Sequence, residues 1–363
     1  MDGMFPTSPE TLSAQVAALV PAMQERAGLL DRDAAFPAED MAAIASSGGL
    51  LAPFPLAAGG LGLGTSPTGA HGLLHLLRSL GRGNLSVGRV FEAHVNAVRL
   101  LVRYGTEAHI RSGADDAARG HLFALWVTDP AQDGLRASDG VLRGSKEFCS
   151  AAGHATRAVV TATAGEGEPR LMLVDVTSAQ VTPLPGALLG MHAAVTGRVR
   201  FDGLRGVAFG APGDYLREPD LSTGAWRTSA VTLGGLEALA AVARAQLAAR
   251  GRHADPHQQA RMGHVLIAEE TARLWMHAAA ARAEDTDADP AAAVAYVNLA
   301  RLAVERACLD TIELVQRSLG LAAFLRPNPV ERLCRDLATY LRQPAGDMVL
   351  TEAAAHAMTP HEP

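Results

Sequence analysis

The sequence predicts an α+β fold with helices at both ends and a β-rich middle, and two observations predict it. From residue 8 to about 115, and again from about 224 to 358, apolar residues recur at helical spacing; between about 121 and 210 the runs are short, β-branched or alternating, and separated by Gly, Pro and Asp turns. Helical zone, β zone, helical zone is a segregated order, unlike the strand–helix alternation of a doubly wound sheet.

The first helix is set by Ser8-Pro9, an N-cap followed by proline at a position where its missing N–H costs nothing. The segment "PAEDMAAIASSGG" predicts a short amphipathic helix stopped by Gly48 and Gly49, and "SVGRVFEAHVNAVRLLVRYG" a longer one ending at Gly105. The middle zone contributes the strand-like runs "HLFALWVTD", "GVLRGSKEFCSAA", "RAVVTATAG", "RLMLVDV" and "GRVRFDGLRGVAFG". In the last zone Asp289-Pro290 starts a helix whose stripe Val297, Ala300, Val304, Cys308, Thr311 and Val315 is read as bundle core. "GGLGLG" at 59–64 resembles a dinucleotide fingerprint only in letters, because neither a strand nor a helix flanks it.

A chain of 363 residues that is 48% apolar can bury a sizeable core and fill two or three domains. A net charge of −6 and very few lysines argue against nucleic acid, whose phosphates require clustered cations. "MDGMFPTSPE" does not read as a signal peptide, and no apolar run approaches the roughly 20 residues of a membrane helix, so no membrane is expected. Cys149, Cys308 and Cys334 stand far apart with no metal-ligand spacing, and a reducing cytoplasm is the expected location. No metal site is expected: His253 and His257 in "HADPH" are four apart, but Pro256 breaks the helix that would align them. No GxSxG or Cys/His nucleophile arrangement is visible.

Taken in order, "FPAEDMAAIASSGGLLAPFPLAAGGLGLG", "HVNAVRLLVRYGTEA", "LWVTDP", "GSKEFCSAAGHA", "LGMHAAVTGRVRFDGLRGV" and "NPVERLCRDLATY" resemble the acyl-CoA dehydrogenase family over nearly the whole chain. The resemblance implies an N-terminal helical domain (1–118), a middle β-barrel (119–215) and a C-terminal four-helix bundle (216–363). It also implies bound FAD, with FMN as the other flavin, a small-molecule substrate, an electron-transfer or flavin-reductase partner, and a homodimer or homotetramer. By the same resemblance Thr128 in "LWVTDP" would hydrogen-bond the flavin ring, Phe148 would lie against one of its faces, and Ser150 would reach its N5 edge. Arg252 and Gln316 are the matching candidates for holding the adenosine end across a dimer interface, and Arg335-Asp336 for a structural ion pair beneath the flavin.

Desaturation of an acyl thioester needs a base for the α-proton. Members of the family carry a Glu in one of two places, where this chain has Pro344-Ala345 and either Trp226 or Arg227. Glu237, Asp347 and Glu352 are the nearest acids in sequence and read as solvated helix-surface residues. The segment "AQDGLRASDGVLR" is also too short for the loop that contacts the acyl carrier. The tail "RDLATYLRQPAGDMVL" resembles flavin monooxygenases of the same fold, such as the dibenzothiophene monooxygenase group, which need a dry pocket rather than a proton-abstracting base. His94, His154 and His192 are acid–base candidates for such a pocket, His154 first because it directly follows the proposed flavin strand. The expectation is therefore a flavin-dependent oxidoreductase with standard dehydrogenation in doubt, alongside a reduced-flavin monooxygenase and a non-catalytic member of the fold.

Overall fold

A computed structural model describes residues 8–165, 167–184 and 186–359. Helix α1 (Pro9–Arg32) begins where the cap predicts, with the Ser8 hydroxyl accepting from the Thr11 N–H at 3.3 Å. It is followed by α2 (Ala38–Ser46), α3 (Ala70–Gly83), α4 (Leu85–Tyr104) and α5 (Glu107–Ala118). After the β region come α6 (Asp220–Thr223), α7 (Ala225–Ala249), α8 (Pro256–Glu284), α9 (Pro290–Leu319), α10 (Pro329–Tyr340) and α11 (Gly346–Met358). The predicted stripe on α9 is core: all six residues are at most 1% exposed.

The β region divides more finely than the sequence runs. Its strands are β1 (Phe123–Trp126), β2 (Arg136–Ser138), β3 (Val141–Arg143), β4 (Ser145–Cys149), β5 (Arg157–Ala162), β6 (Arg170–Asp175), β7 (Gln180–Pro183), β8 (Gly197–Arg200) and β9 (Gly206–Phe209). "GVLRGSKEFC" breaks into β3 and β4 because Gly144 turns the chain at φ +104°. Instead of one closed ladder there are three sheets, ordered β1-β5-β6-β9, β4-β8-β7 and β2-β3. Isolated bridges at Gly134–Ser145, Arg136–Thr163 and Val141–Arg205 tie the hairpin to the strands around it.

Two helical layers meet with almost no space between backbones. A Cβ on Gly234 of α7 would lie 2.0 Å from the Arg78 carbonyl oxygen of α3, and one on Gly81 of α3 would lie 2.1 Å from the Val231 carbonyl oxygen of α7. Only glycine permits this crossing, which locks the N-terminal helices to the bundle, where α7 packs against both α4 and α10. At the junction with the β region, buried His94 of α4 clamps two other segments. Its Nε2–H donates to the Leu50 carbonyl (2.8 Å) and its Nδ1 accepts from the Phe123 N–H (3.1 Å), so α4, the loop after α2 and the start of β1 move as one. No helix among the described residues is long and apolar enough to cross a membrane.

Candidate functional site

A cleft of about 710 Å³ opens between β4, the loop 187–196 and α10, with Arg89 of α4 at its side. Its strand wall carries Phe148 and Ser150, and its helical wall carries Arg335, Thr339 and Tyr340. The register of β4 against β8 slips between Lys146 and Cys149, a bulge that re-aims the side chains beyond it. Phe148 sits there at φ +55° with half of its surface exposed. Ala151 (φ +58°), Met191 (φ +62°) and the β-branched Val195 (φ +44°) also adopt left-handed backbone around the same cleft. Such conformations cost about 1–3 kcal/mol each and cluster at ligand sites.

The walls are held by charges the sequence separates widely. Arg335 donates two hydrogen bonds to Asp31 (3.0 and 2.7 Å), two to Glu331 (2.9 and 3.2 Å) and one to the Leu189 carbonyl (2.9 Å). Asp336 accepts from the Met191 N–H at 2.6 Å. Arg335 and Asp336 thus pin the 187–196 loop to α10 and α1, the structural role the resemblance implies. On the strand side, fully buried Lys146 donates to the Val127 carbonyl (3.2 Å) and Thr161 (2.9 Å) and pairs with Asp129 (2.8 Å), bracketing Thr128. Burial lowers the Lys146 pKa while Asp129 opposes the shift.

Of the residues the resemblance assigns to a flavin, Phe148 and Ser150 line the cleft and Thr128 stands next to the strand that carries them. Thr128, exposed just after β1, accepts through its carbonyl from the Glu147 N–H at 2.9 Å, which sets it next to the end of β4 that carries Phe148, with Ser150 just beyond; Thr128 is not among the residues lining the cleft. Arg252 and Gln316 are elsewhere. Arg252, after α7, pairs with Asp255 (2.9 Å), and Gln316 on α9 lies against Cys334 of α10, two turns of helix short of Tyr340. With the Gln258 amide oriented to satisfy both its atoms, it links Arg252 (3.2 Å) to Ser318 (3.0 Å), so these candidates share one end of the bundle.

The proposed histidines serve other ends. Burial holds His94 neutral, with its pKa lowered to about 4. His154 stacks on Phe36 with ring centroids 4.1 Å apart, and His192 bonds the Leu188 carbonyl (2.9 Å) and Asp31; neither lines the cleft. The priority given to His154 is therefore corrected: the turn after β4 carries its ring onto α2's entry loop. Among the described residues, no three His, Cys, Asp or Glu side chains are arranged to hold a metal ion.

At the two base positions the structure has no carboxylate. The Pro344 carbonyl accepts from Arg301 (2.6 Å), Trp226 is buried, and buried Arg227 pairs with Glu284 at 2.8 Å. Glu237 pairs with Arg78 at 2.7 Å, and Asp347 and Glu352 are exposed on α11. Sequence reading missed the buried acids: Glu92, which accepts from Arg89 (2.6 Å), Thr228 (3.2 Å) and Asn96, and Glu284, which accepts from Arg227, Arg99 and Trp226 (3.1 Å). Asn96 in turn accepts from Arg227, making a continuous polar seam through α4, α7 and the end of α8. Above this seam the Tyr340 hydroxyl lies beside Arg89 and Thr228, fully buried and without a well-formed hydrogen bond to either.

Neither a protein-family model nor a curated protein sequence matches the chain. Solved structures do match over its full length. The KijD3 structure with FMN and dTDP-3-amino-2,3,6-trideoxy-4-keto-3-methyl-D-glucose aligns with a TM-score of 0.80 at 22% identity, covering 98% of this chain and 97% of that one. Glutaryl-coenzyme A dehydrogenase in its glutaryl-CoA complex aligns at 0.83 and 19%, covering 99% and 97%. TdsC from Paenibacillus sp. A11-2, with FMN and indole, aligns at 0.79 and 18%, covering 96% and 97%.

Proposed function

From the acyl-CoA dehydrogenase-like fold that this chain has, we propose that it is a flavin-dependent oxidoreductase acting on a small organic substrate in the cleft between β4 and α10. The observation that carries this reading is Phe148 and Ser150 on the cleft wall, with Thr128 tied to the same strand through the Glu147 N–H. An exposed aromatic ring and two hydroxyls, held by a bulge and by buried Lys146, suit a flat ligand with one apolar face and one polar edge. When bound, flavin supplies the two-electron chemistry that no side chain here can perform. In this proposal Thr128 and Ser150 donate to the polar edge of the ring and Phe148 covers a face. Loop 187–196, drawn onto α10 by Arg335 and Asp336, excludes water from the substrate side.

Within that class our reading is oxygen-dependent chemistry rather than α,β-dehydrogenation, and its support is that no Asp or Glu is among the described residues lining the cleft. A step that removes an α-proton lacks its base, whereas a dry pocket without a carboxylate suits a reduced flavin meeting oxygen. FAD is the proposed cofactor, with FMN kept beside it since KijD3 and TdsC are described with FMN. The FAD reading goes with a homodimer or homotetramer: Arg252 and Gln316 share a bundle end where Leu321, Phe324 and Leu325 are exposed, and a second copy would cover them. An electron-transfer protein or flavin reductase would supply or remove electrons.

The test is the purified protein's spectrum and extracted flavin, followed by two assays. Oxygen uptake with supplied reduced flavin, and no bleaching by butyryl-, octanoyl- or isovaleryl-CoA under anaerobic conditions, is the expected pair. Bleaching at rates near about 10 s⁻¹ would refute the missing base. A colourless protein that binds neither FAD nor FMN at micromolar concentration would leave the non-catalytic reading.

A further inference from the structure

The cleft holds an arginine whose surroundings name a class of substrate. Arg89 projects from α4 into the side of the cleft with 27% of its side chain exposed, and its hydrogen bond goes to Glu92 behind it. A guanidinium has five N–H donors, so those on Arg89 that are not turned to Glu92 or Tyr340 remain for a ligand in the cleft. Arg335 and Arg342 also line the cleft, but Arg335 is engaged by Asp31 and Glu331, and Arg342 by Glu305 at 3.0 Å. The carboxylates that balance these arginines stand behind the walls, and none of them faces the space between.

Beside Arg89 is the second observation. Tyr340 is 94% buried, being 6% exposed, and its hydroxyl sits beside Arg89 and Thr228 without a well-formed hydrogen bond to either. A buried hydroxyl whose neighbours do not fully satisfy it can take a ligand oxygen brought in by Arg89 as a better-aligned partner. Opposite the arginine, Leu188, Leu189, Met191 and Phe148 give the rest of the cleft an apolar lining.

We propose that Arg89, backed by Glu92 and flanked by Tyr340, anchors a small organic anion, a carboxylate or phosphate monoester with an apolar body, as the substrate of the reaction proposed above. Glu92 fixes the guanidinium through one edge, leaving the fork free for two anionic oxygens. The apolar body then extends toward Phe148 and Ser150.

The anchor is tested by binding, independently of turnover. Phenylacetate, phenyl phosphate and the neutral isostere phenylacetamide are titrated calorimetrically into the protein without flavin, and again with it. The expected result is an anion preference over phenylacetamide of about 10- to 100-fold, with the stronger of the two anions telling carboxylate from phosphate. Arg89→Met should abolish the preference and Tyr340→Phe should reduce it a few fold. Because Arg89→Met strips Glu92 of its cation, the Arg89→Met/Glu92→Gln pair keeps the seam neutral if the single variant fails to fold. Equal affinity for phenylacetate and phenylacetamide in the unaltered protein overturns the proposal, as does a preference that survives undiminished in Arg89→Met. So does a selective loss of FMN over riboflavin affinity in the variants, which would assign Arg89 to a cofactor phosphate. Failure of any flavin to bind would sink the proposed function, while the flavin-free titration still decides the anchor.

Discussion

Acidification should unfold this protein through His94. The ring is fully buried, donates to Leu50 and accepts from Phe123, so a second proton would sever the bond to the Phe123 N–H and place a charge in apolar surroundings. The folded chain refuses that proton until about pH 4, whereas the unfolded chain accepts it near 6.5. Between those values the unfolded state binds more protons, so stability falls as pH drops, by about 3 kcal/mol over the whole window and about 2 kcal/mol by pH 5. His75, His154 and His277 have pKa values lowered in the same direction, so the wild-type slope alone does not isolate His94. His94→Gln does: the amide N–H can donate to Leu50 and its oxygen accept from Phe123, and it does not titrate. Urea midpoints at pH 7.5 and 5 should show the variant losing about 2 kcal/mol less than the wild type. Equal losses in the two proteins, or an NMR titration of His94 centred near 6.5, would refute the reasoning.

Three other perturbations follow from the packing. Gly234→Ala should cost at least about 3 kcal/mol in thermal or chemical denaturation, since the new methyl meets the Arg78 carbonyl, and backbone cannot turn aside as a side chain can. Glu284→Ala should cost about 3–5 kcal/mol by leaving Arg227 buried without its carboxylate, and Arg227→Met combined with Glu284→Leu should recover most of it. Phe148→Ala should change stability by no more than about 0.5 kcal/mol, because the ring is 53% exposed. The same variant should weaken flavin binding about tenfold by fluorescence titration.

What the sequence determined by itself was the part written in local grammar. The Ser8 cap, the Gly48 stop, the α9 stripe and the change of period at the β region are set by backbone hydrogen bonding and side-chain spacing within a few residues, and all stand in the structure. The pairing of the segment after β1 with β4, through the Thr128 carbonyl and the Glu147 N–H, was legible for a related reason, since short motifs on neighbouring strands carry their own geometry. Tertiary structure alone decided the charged interior. Glu92, Glu284, Arg89 and Arg227 sit in helices whose sequences read equally well as solvated faces, and their burial depends on a partner from another element. Arg227 meets Glu284 across 57 residues and Arg335 meets Asp31 across 304. A charge is tolerated in the core only when its counter-charge and hydrogen bonds arrive with the fold, so neither partner's spacing announces the pair. The same holds for Tyr340: its hydroxyl becomes a signal once the helices around it have closed and left it buried beside Arg89 and Thr228.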